Sequence, residues 1–487
     1  MAAATVVFLP CWASGHFMSM LEAGKRMIGS SGGALSLTVL VMQAPTPAKA
    51  SEVEEHVRRE AATGMDIRFV RLPAVAPPTD CVAAEEFNFR YIQLHARHVA
   101  EAVAGLASPV AAIAVDLFCT PLLDVAGELA VPRYVYFAST AAFLALMLRL
   151  PALRGDLLAA GSEETEGAVH VPGLPPVPWA YMPACLASTK SRKNYDCFEY
   201  YGRRFMEASG IIVNSSPELE RGVLAAIAGG RCVPGRPAPA VHAIGPVIWF
   251  TAARDGQPRP HECVRWLDAQ PPASVVFLCF GSIGFLDEAQ AAAVAAGLER
   301  SGHRFLWVLR GAPAFGARYP RDADLDAALP GGFLERTAGR GLVWPAWAPQ
   351  KEILAHPAVG GFVTHCGWNS VLESLWFGVP MVPWPLYGEQ HLNAFELVAE
   401  MGVSVRLKEM DRSKDGGGRF FVEAAQLERA VRGLMGGTTA EGREARQKAA
   451  EAMAACRKAV AEGGTSHAAL RRLVREIVSH GGGSASP

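Results

Sequence analysis

Short apolar runs alternate along this chain with longer stretches of helical period. Thr5–Pro10 (TVVFLP) is β-branched and apolar and ends on a turn residue, the pattern of a buried strand. Polar and glycine residues follow, then a helical pattern from about Met18 to Ile28. Leu37–Met42, Val110–Val115, Tyr134–Phe137 and Gly210–Asn214 repeat the strand pattern. Strands that are apolar throughout, separated by helical segments, predict parallel βαβ units with helices on both sheet faces. The alternation pauses at Ala243-Ile244-Gly245-Pro246, and Trp249–His261 is polar and proline-containing, as suits a linker. It restarts at Val275–Phe280 and continues through Phe305–Leu309, Gly361–Thr364 and Met381–Pro383.

The fold class expected is α/β, with two Rossmann-like, doubly wound parallel-sheet domains facing one another across a cleft. The expected divisions are a first domain over 1–247, a linker over 248–262 and a second domain over 263–465. A helix over 466–481 should pack back on the first domain, and 482–487 should be a disordered tail. Two domains also follow from size, because 487 residues exceed the ~250–300 that one core supports. Ligands of such sheets sit beyond the carboxyl ends of the strands. A cleft between two such edges can therefore hold one ligand on each side.

Charge narrows the partners. Lys and Arg number 46 against 47 Asp and Glu, a net −1, which gives no electrostatic reason to expect nucleic acid or an anionic membrane. The ten cysteines form no CxxC pair and no zinc-spaced Cys/His cluster, which suits reduced thiols in the cytoplasm. Met1–Pro10 has no basic n-region, so it does not read as a signal peptide. The apolar run Thr140–Leu148 is cut by Arg149, far short of the ~20 residues of a membrane helix. A cytoplasmic monomer without membrane insertion is the expectation.

The most informative stretch is Trp347–Gln390, WAPQKEILAHPAVGGFVTHCGWNSVLESLWFGVPMVPWPLYGEQ. It reads as a strand (Gly361–Thr364), a tight loop (His365–Asn369) and a helix from Ser370 to Phe377 that stops at Gly378. Free backbone N–H groups and the positive end of the helix dipole make such a loop an anion site, and phosphate is the natural occupant. Ser370-Val371-Leu372-Glu373 is also a capping-box pattern, in which Glu373 would fold back on the helix start.

The stretch resembles, without a gap, the signature box of the plant secondary-product glycosyltransferases of the UDP-glycosyltransferase superfamily. The likeness runs from Trp-Ala-Pro-Gln through His-Cys-Gly-Trp-Asn-Ser to the acidic-Gln end, and extends to both ends of the chain. It implies the GT-B fold, with the donor on the second domain and the acceptor on the first. It implies that Trp347 stacks on uracil and that the Ala348 backbone reads the uracil edge. His365, Asn369 and Ser370 would hold the diphosphate, Ser282 would touch a phosphate, and Glu373 would accept from the ribose hydroxyls. Trp368, Glu389 and Gln390 would contact sugar hydroxyls, with Gln350 and Gly367 completing the donor set. The resemblance implies UDP-glucose as co-substrate, because the family's glucose-preferring members end the signature in Gln, as Gln390 does here; the physical basis is an amide that can pair with two adjacent hydroxyls.

Displacing UDP requires a base for the acceptor hydroxyl, and histidine suits this near neutral pH. His16 follows the first strand in Cys11-Trp12-Ala13-Ser14-Gly15-His16, where the resemblance sets its catalytic histidine. The dipole of the helix that follows should disfavour imidazolium and keep His16 neutral. Asp116 ends the strand Val110–Val115 and would orient the imidazole; Asp124 reads as a surface or capping residue. The pair would produce one in-line displacement, an inverting transfer giving a β-glycoside.

Trp12, Phe17, Phe87, Phe118, Phe143, Tyr201 and Tyr387 would form an apolar acceptor pocket, with about half of such aromatics serving as core. That pocket suits a flat phenol, a flavonoid or related polyphenol; a terpenoid or hormone acceptor, or C-glycosylation, is the alternative. Asp322-Ala323-Asp324 is formally a metal-holding DxD, but it lies in a polar stretch between Gly311 and Gly332, so no metal or other cofactor is expected. A nicotinamide dehydrogenase would need a GxGxxG absent from Phe280-Gly281-Ser282-Ile283-Gly284. A sugar-nucleotide epimerase would share the fold and turn over donor without acceptor.

Overall fold

The computed structural model describes residues 3–160, 167–187, 192–250, 260–314, 319–407, 421–437 and 439–481. Most of the expected linker (251–259) and the expected tail (482–487) lie outside the described residues. Seven parallel strands build the first sheet: β1 (Ala4–Leu9), β2 (Leu35–Val41), β3 (Ile67–Arg71), β4 (Val110–Asp116), β5 (Arg133–Phe137), β6 (Gly210–Val213) and β7 (Ala240–Ala243). Their order is β3-β2-β1-β4-β5-β6-β7. Five more build the second: β8 (Val275–Cys279), β9 (Arg304–Val308), β10 (Gly341–Trp344), β11 (Val359–Thr364) and β12 (Met381–Pro383), ordered β10-β9-β8-β11-β12. The central strands are buried on both faces, which explains why they read as continuous apolar runs.

Each sheet reverses its winding once, between β1 and β4 in the first and between β8 and β11 in the second. Loops leaving a reversal point part in opposite directions and open a crevice. His16 and Asp116 follow β1 and end β4; Ser282 and His365 follow β8 and β11. Seven helices carry or brace the site: α1 (Ser14–Gly29), α2 (Pro47–Ala61), α3 (Ala84–Gln93), α4 (Arg192–Phe205), α5 (Trp368–Phe377), α6 (Gln390–Ala399) and α7 (Thr465–Gly481). Helix α5 starts two residues earlier than its sequence suggests and ends at Gly378, whose φ of 70° is the left-handed cap that glycine adopts without strain.

The two domains meet through specific bonds. Trp249, at the start of the linker, lies between Arg59 of the first domain (4.2 Å) and Lys351 of the second (3.8 Å), and its indole donates to Glu60 at 3.2 Å. Helix α7 lies on the first domain: Leu470, Leu473, Val474 and Ile477 join its core, Ser466 donates to Gly245 O at 2.5 Å, and His242 lies 3.3 Å from Glu476. Among the described residues no helix is long and apolar enough to cross a membrane.

Candidate active site

His16 occupies the first turn of α1, whose N-cap, Ala13, has no side chain able to cap it. The imidazole Nδ1 lies 2.8 Å from Asp116 Oδ2. Asp116 is fully buried, and its other oxygen accepts the Phe118 N–H at 3.0 Å. A carboxylate held at both oxygens fixes the ring and favours the proton on Nδ1, which leaves Nε2 as the accepting nitrogen. Burial pulls the His16 pKa down, but the charge and hydrogen bond of Asp116, with Glu389 and Glu85 beyond, more than reverse this, and the net shift is upward. The helix dipole, expected to keep His16 neutral, is thus opposed by three carboxylates that favour the imidazolium.

Across the cleft, the loop after β11 carries His365-Cys366-Gly367 into α5. Cys366 is held at φ 65°, a conformation that costs a β-carbon residue energy and needs its surroundings to hold it. Its N–H donates to Thr364 Oγ1 at 3.2 Å, and its carbonyl accepts from the Asn393 amide at 2.9 Å. Two glycines make room for His365: a β-carbon on Gly281 or on Gly367 would lie 2.5 Å from its Nε2. Burial depresses the His365 pKa to about 4, so the ring is a neutral donor, and its buried Nδ1 has no hydrogen-bond partner among the described residues. Gly367 caps α5 without a side chain, leaving the first backbone N–H groups uncommitted to one. An unsatisfied imidazole beside an uncapped helix start fits an anion.

The rest of the signature stretch gathers here. The Gln350 amide donates to Ser370 Oγ (2.9 Å) and Glu373 Oε2 (2.7 Å), so Glu373 faces Gln350 and makes no capping box. Burial raises the Glu373 pKa, opposed by Lys351 and by the Gln350 hydrogen bond. Trp347 is 67% exposed, the highest exposure among the described large aromatics, in a loop secured by the Trp344 indole on its carbonyl at 3.0 Å. Ala348 beside it is buried, and Ser282 is exposed. Asn369 donates to Gly15 O at 2.9 Å, bringing the start of α5 to the residue before His16. Ser139 donates to Glu389 at 3.2 Å, a second bond across the cleft.

Residues 237–416 match the family described as UDP-glucoronosyl and UDP-glucosyl transferase. The whole chain is 59% identical over 486 residues to a malvidin galactosylase of Oryza sativa subsp. japonica, with 99% of each chain covered. It is 37% identical to an anthocyanidin 5,3-O-glucosyltransferase of a Rosa hybrid cultivar, over 96% of this chain and 98% of that one. The crystal structure of a transferase from Siraitia grosvenorii in complex with UDP superposes with a TM-score of 0.82 at 36% identity, covering 97% of this chain and 99% of that chain. The chain belongs to the plant UDP-glycosyltransferases. Its two facing Rossmann-like domains are accordingly the GT-B fold of that family, and UDP-sugar-dependent glycosylation of phenolics is the family activity.

Within this UDP-glycosyltransferase several sequence expectations need correction. The Trp368 indole N–H is already spent on Asn214 O at 2.7 Å and the side chain is buried, so a contact to a sugar hydroxyl would fall to its backbone N–H at the start of α5. The Gln390 carbonyl accepts the N–H groups of Leu386 (2.9 Å) and Tyr387 (3.1 Å), which leaves only its NH₂ end for a sugar. Phe17 is buried between α1 and α2 with its ring stacked on His56 at 6.3 Å, on another face of α1 from His16. Trp12 is buried edge-on to Tyr91, Phe143 packs on Phe137 and Phe198, and Tyr201 is fully buried. Phe118, 5.2 Å from the His16 ring, keeps part of its surface, as do Phe87 and Tyr387. Asp124 is exposed and paired with Arg204 at 2.6 Å. Asp322 lies 3.4 Å from Arg310 while Asp324 caps a short helix, and the described residues hold no His/Cys/Asp/Glu group suited to a metal.

Proposed function

We propose that the chain transfers a hexose from a UDP-hexose to a hydroxyl of a flat phenolic acceptor, a flavonoid or related polyphenol, with inversion and without metal. The observation that carries this reading is the 2.8 Å His16–Asp116 pair set opposite the His365 loop, with Asn369 on Gly15 between them. His16 Nε2 takes the acceptor's proton as its oxygen attacks the anomeric carbon from the face opposite UDP. The bond from that carbon to the phosphate oxygen breaks, and UDP leaves with the electron pair. Asp116 stabilises the imidazolium; His365, Ser370 and the first N–H groups of α5 receive the growing phosphate charge. One displacement turns an α-linked donor into a β-glycoside. Trp347 stacks on the uracil, and Glu373 takes the ribose hydroxyls.

A phenol suits this base, because its pKa of ~10 is the nearest among hydroxyl acceptors to a histidine raised above 6.5. The acceptors named for the two relatives, malvidin and an anthocyanidin, are flat phenols. Action as a cytoplasmic monomer belongs to the same proposal.

For the donor sugar, the signature's end on Gln390 supports glucose, with its NH₂ end rather than its carbonyl turned to the sugar. A second reading, galactose, is favoured by the name of the 59%-identical relative. Equal UDP-glucose and UDP-galactose offered together with a flavonoid, followed by sugar analysis of the product, separate the two. A product that is mostly galactoside overturns glucose; a product that is mostly glucoside overturns galactose.

A further inference from the structure

Ser19 lies one turn beyond His16 on the same side of α1 and is buried. Its hydroxyl is 2.6 Å from the Tyr136 hydroxyl and accepts the Asn214 side-chain amide at 3.1 Å. Tyr136 is the residue paired with Asp116 across β4 and β5. His16–Asp116 and Ser19–Tyr136 are therefore two adjacent rungs joining α1 to neighbouring strands.

Asn214 follows β6 and is fully buried. Its side-chain carbonyl accepts the Val247 N–H at 2.6 Å, and its amide also donates to Val247 O at 3.2 Å. With the side chain held at both ends, the backbone carbonyl of Asn214 accepts the Trp368 indole at 2.7 Å. Trp368 is the first residue of α5, and its neighbour Asn369 returns to Gly15 O at 2.9 Å. These contacts form a closed circuit: α1 through Ser19 to Asn214, across the domains to Trp368, then back through Asn369 to the turn that presents His16. A buried member that lets go leaves a polar atom unsatisfied, so the circuit resists piecemeal opening.

We propose that Ser19 and Asn214 are positioning residues for the transfer, setting how far His16 stands from the start of α5 while touching neither substrate. This rests on the transferase reading above. Misplacing a reacting group by a fraction of an ångström lowers the rate of the chemical step more than it lowers affinity.

The test compares wild-type protein with Ser19→Ala and Asn214→Asp. It measures kcat with a UDP-hexose and a flavonoid, the UDP Kd by calorimetry, the pH profile and the melting temperature. Ser19→Ala is expected to lower kcat between about 10-fold and 100-fold, with the UDP Kd within about twofold and the acid limb of the pH profile in place. Asn214→Asp should behave alike, and Ser19→Ala decides the matter if the second variant does not fold. A kcat within about twofold of wild type in the folded variant overturns the proposal, as does a kcat loss matched by an equal loss of UDP affinity. Wild-type protein that binds UDP but makes no glycoside overturns the transferase reading instead, a distinct result.

Discussion

His16 Nδ1 lies 2.8 Å from Asp116 Oδ2, and the carboxylate is fully buried while the imidazole remains 25% exposed. A buried anion on one nitrogen raises the pKa of a ring that must be neutral to accept a proton. The rate should therefore fall as pH drops through a midpoint above 6.5. Asp116→Asn removes the strongest upward influence, so the midpoint of the acid limb should move down while the maximal rate also falls. Stability runs the other way. The pair's contribution is fully present below the unfolded histidine pKa of ~6.5 and is lost as pH rises through the raised folded value. Rate and melting temperature measured from pH 5 to 9 check both signs; an acid limb unmoved in Asp116→Asn contradicts the assignment.

Trp347 covers little when no ligand is bound, so removing it should leave folding alone. Trp347→Ala should keep the wild-type melting temperature and raise the UDP Kd about 2- to 12-fold, the worth of one aromatic stack. A large loss of melting temperature with unchanged UDP affinity would show a packing role.

Gly367 has a φ of −60°, so its backbone tolerates alanine, yet the added carbon would meet His365 Nε2 at 2.5 Å. Gly367→Ala should therefore displace the imidazole and weaken UDP binding roughly as much as His365→Ala does. Calorimetry on the two variants and on their combination checks this. Additive losses in the double variant would mean that the glycine acts independently of the ring.

Much of the fold is legible in the sequence because the central strands are buried on both faces and so are apolar throughout. The edge strands Ile67–Arg71 and Gly341–Trp344 are only partly buried; the first is interrupted by arginines and the second is only four residues long, so both escape that signal. Strand ends point to His16 and Asp116, since carboxyl-end loops at a reversal of winding face the cleft. Contacts between distant segments are not legible. Nothing near Asn214 announces that Trp368, 154 positions on, will bond to its carbonyl, or that Gln390 will spend its own carbonyl on a turn. The aromatic residues mislead for a related reason. Phe17 and Phe118 look alike in sequence, and only the packing of α2 decides that one is core and the other lies beside the base.

In the proposed mechanism the leaving-group charge is met by His365, Ser370 and the start of α5, so the reaction should run at full rate in EDTA. Activity lost to EDTA and restored by manganese would contradict this and return Asp322 and Asp324 to consideration.

Hexose transfer to a phenol with His16 as base stands or falls on one paired assay. Wild-type protein and His16→Ala are each given a UDP-hexose and a flavonoid, products are followed by mass spectrometry, and UDP binding is measured alongside. Wild type should give a product one hexose heavier than the flavonoid. His16→Ala should be slower by ~10²–10⁴-fold, with UDP affinity nearly unchanged. Full activity in His16→Ala, or donor consumed by wild type without any glycoside formed, would contradict the assignment.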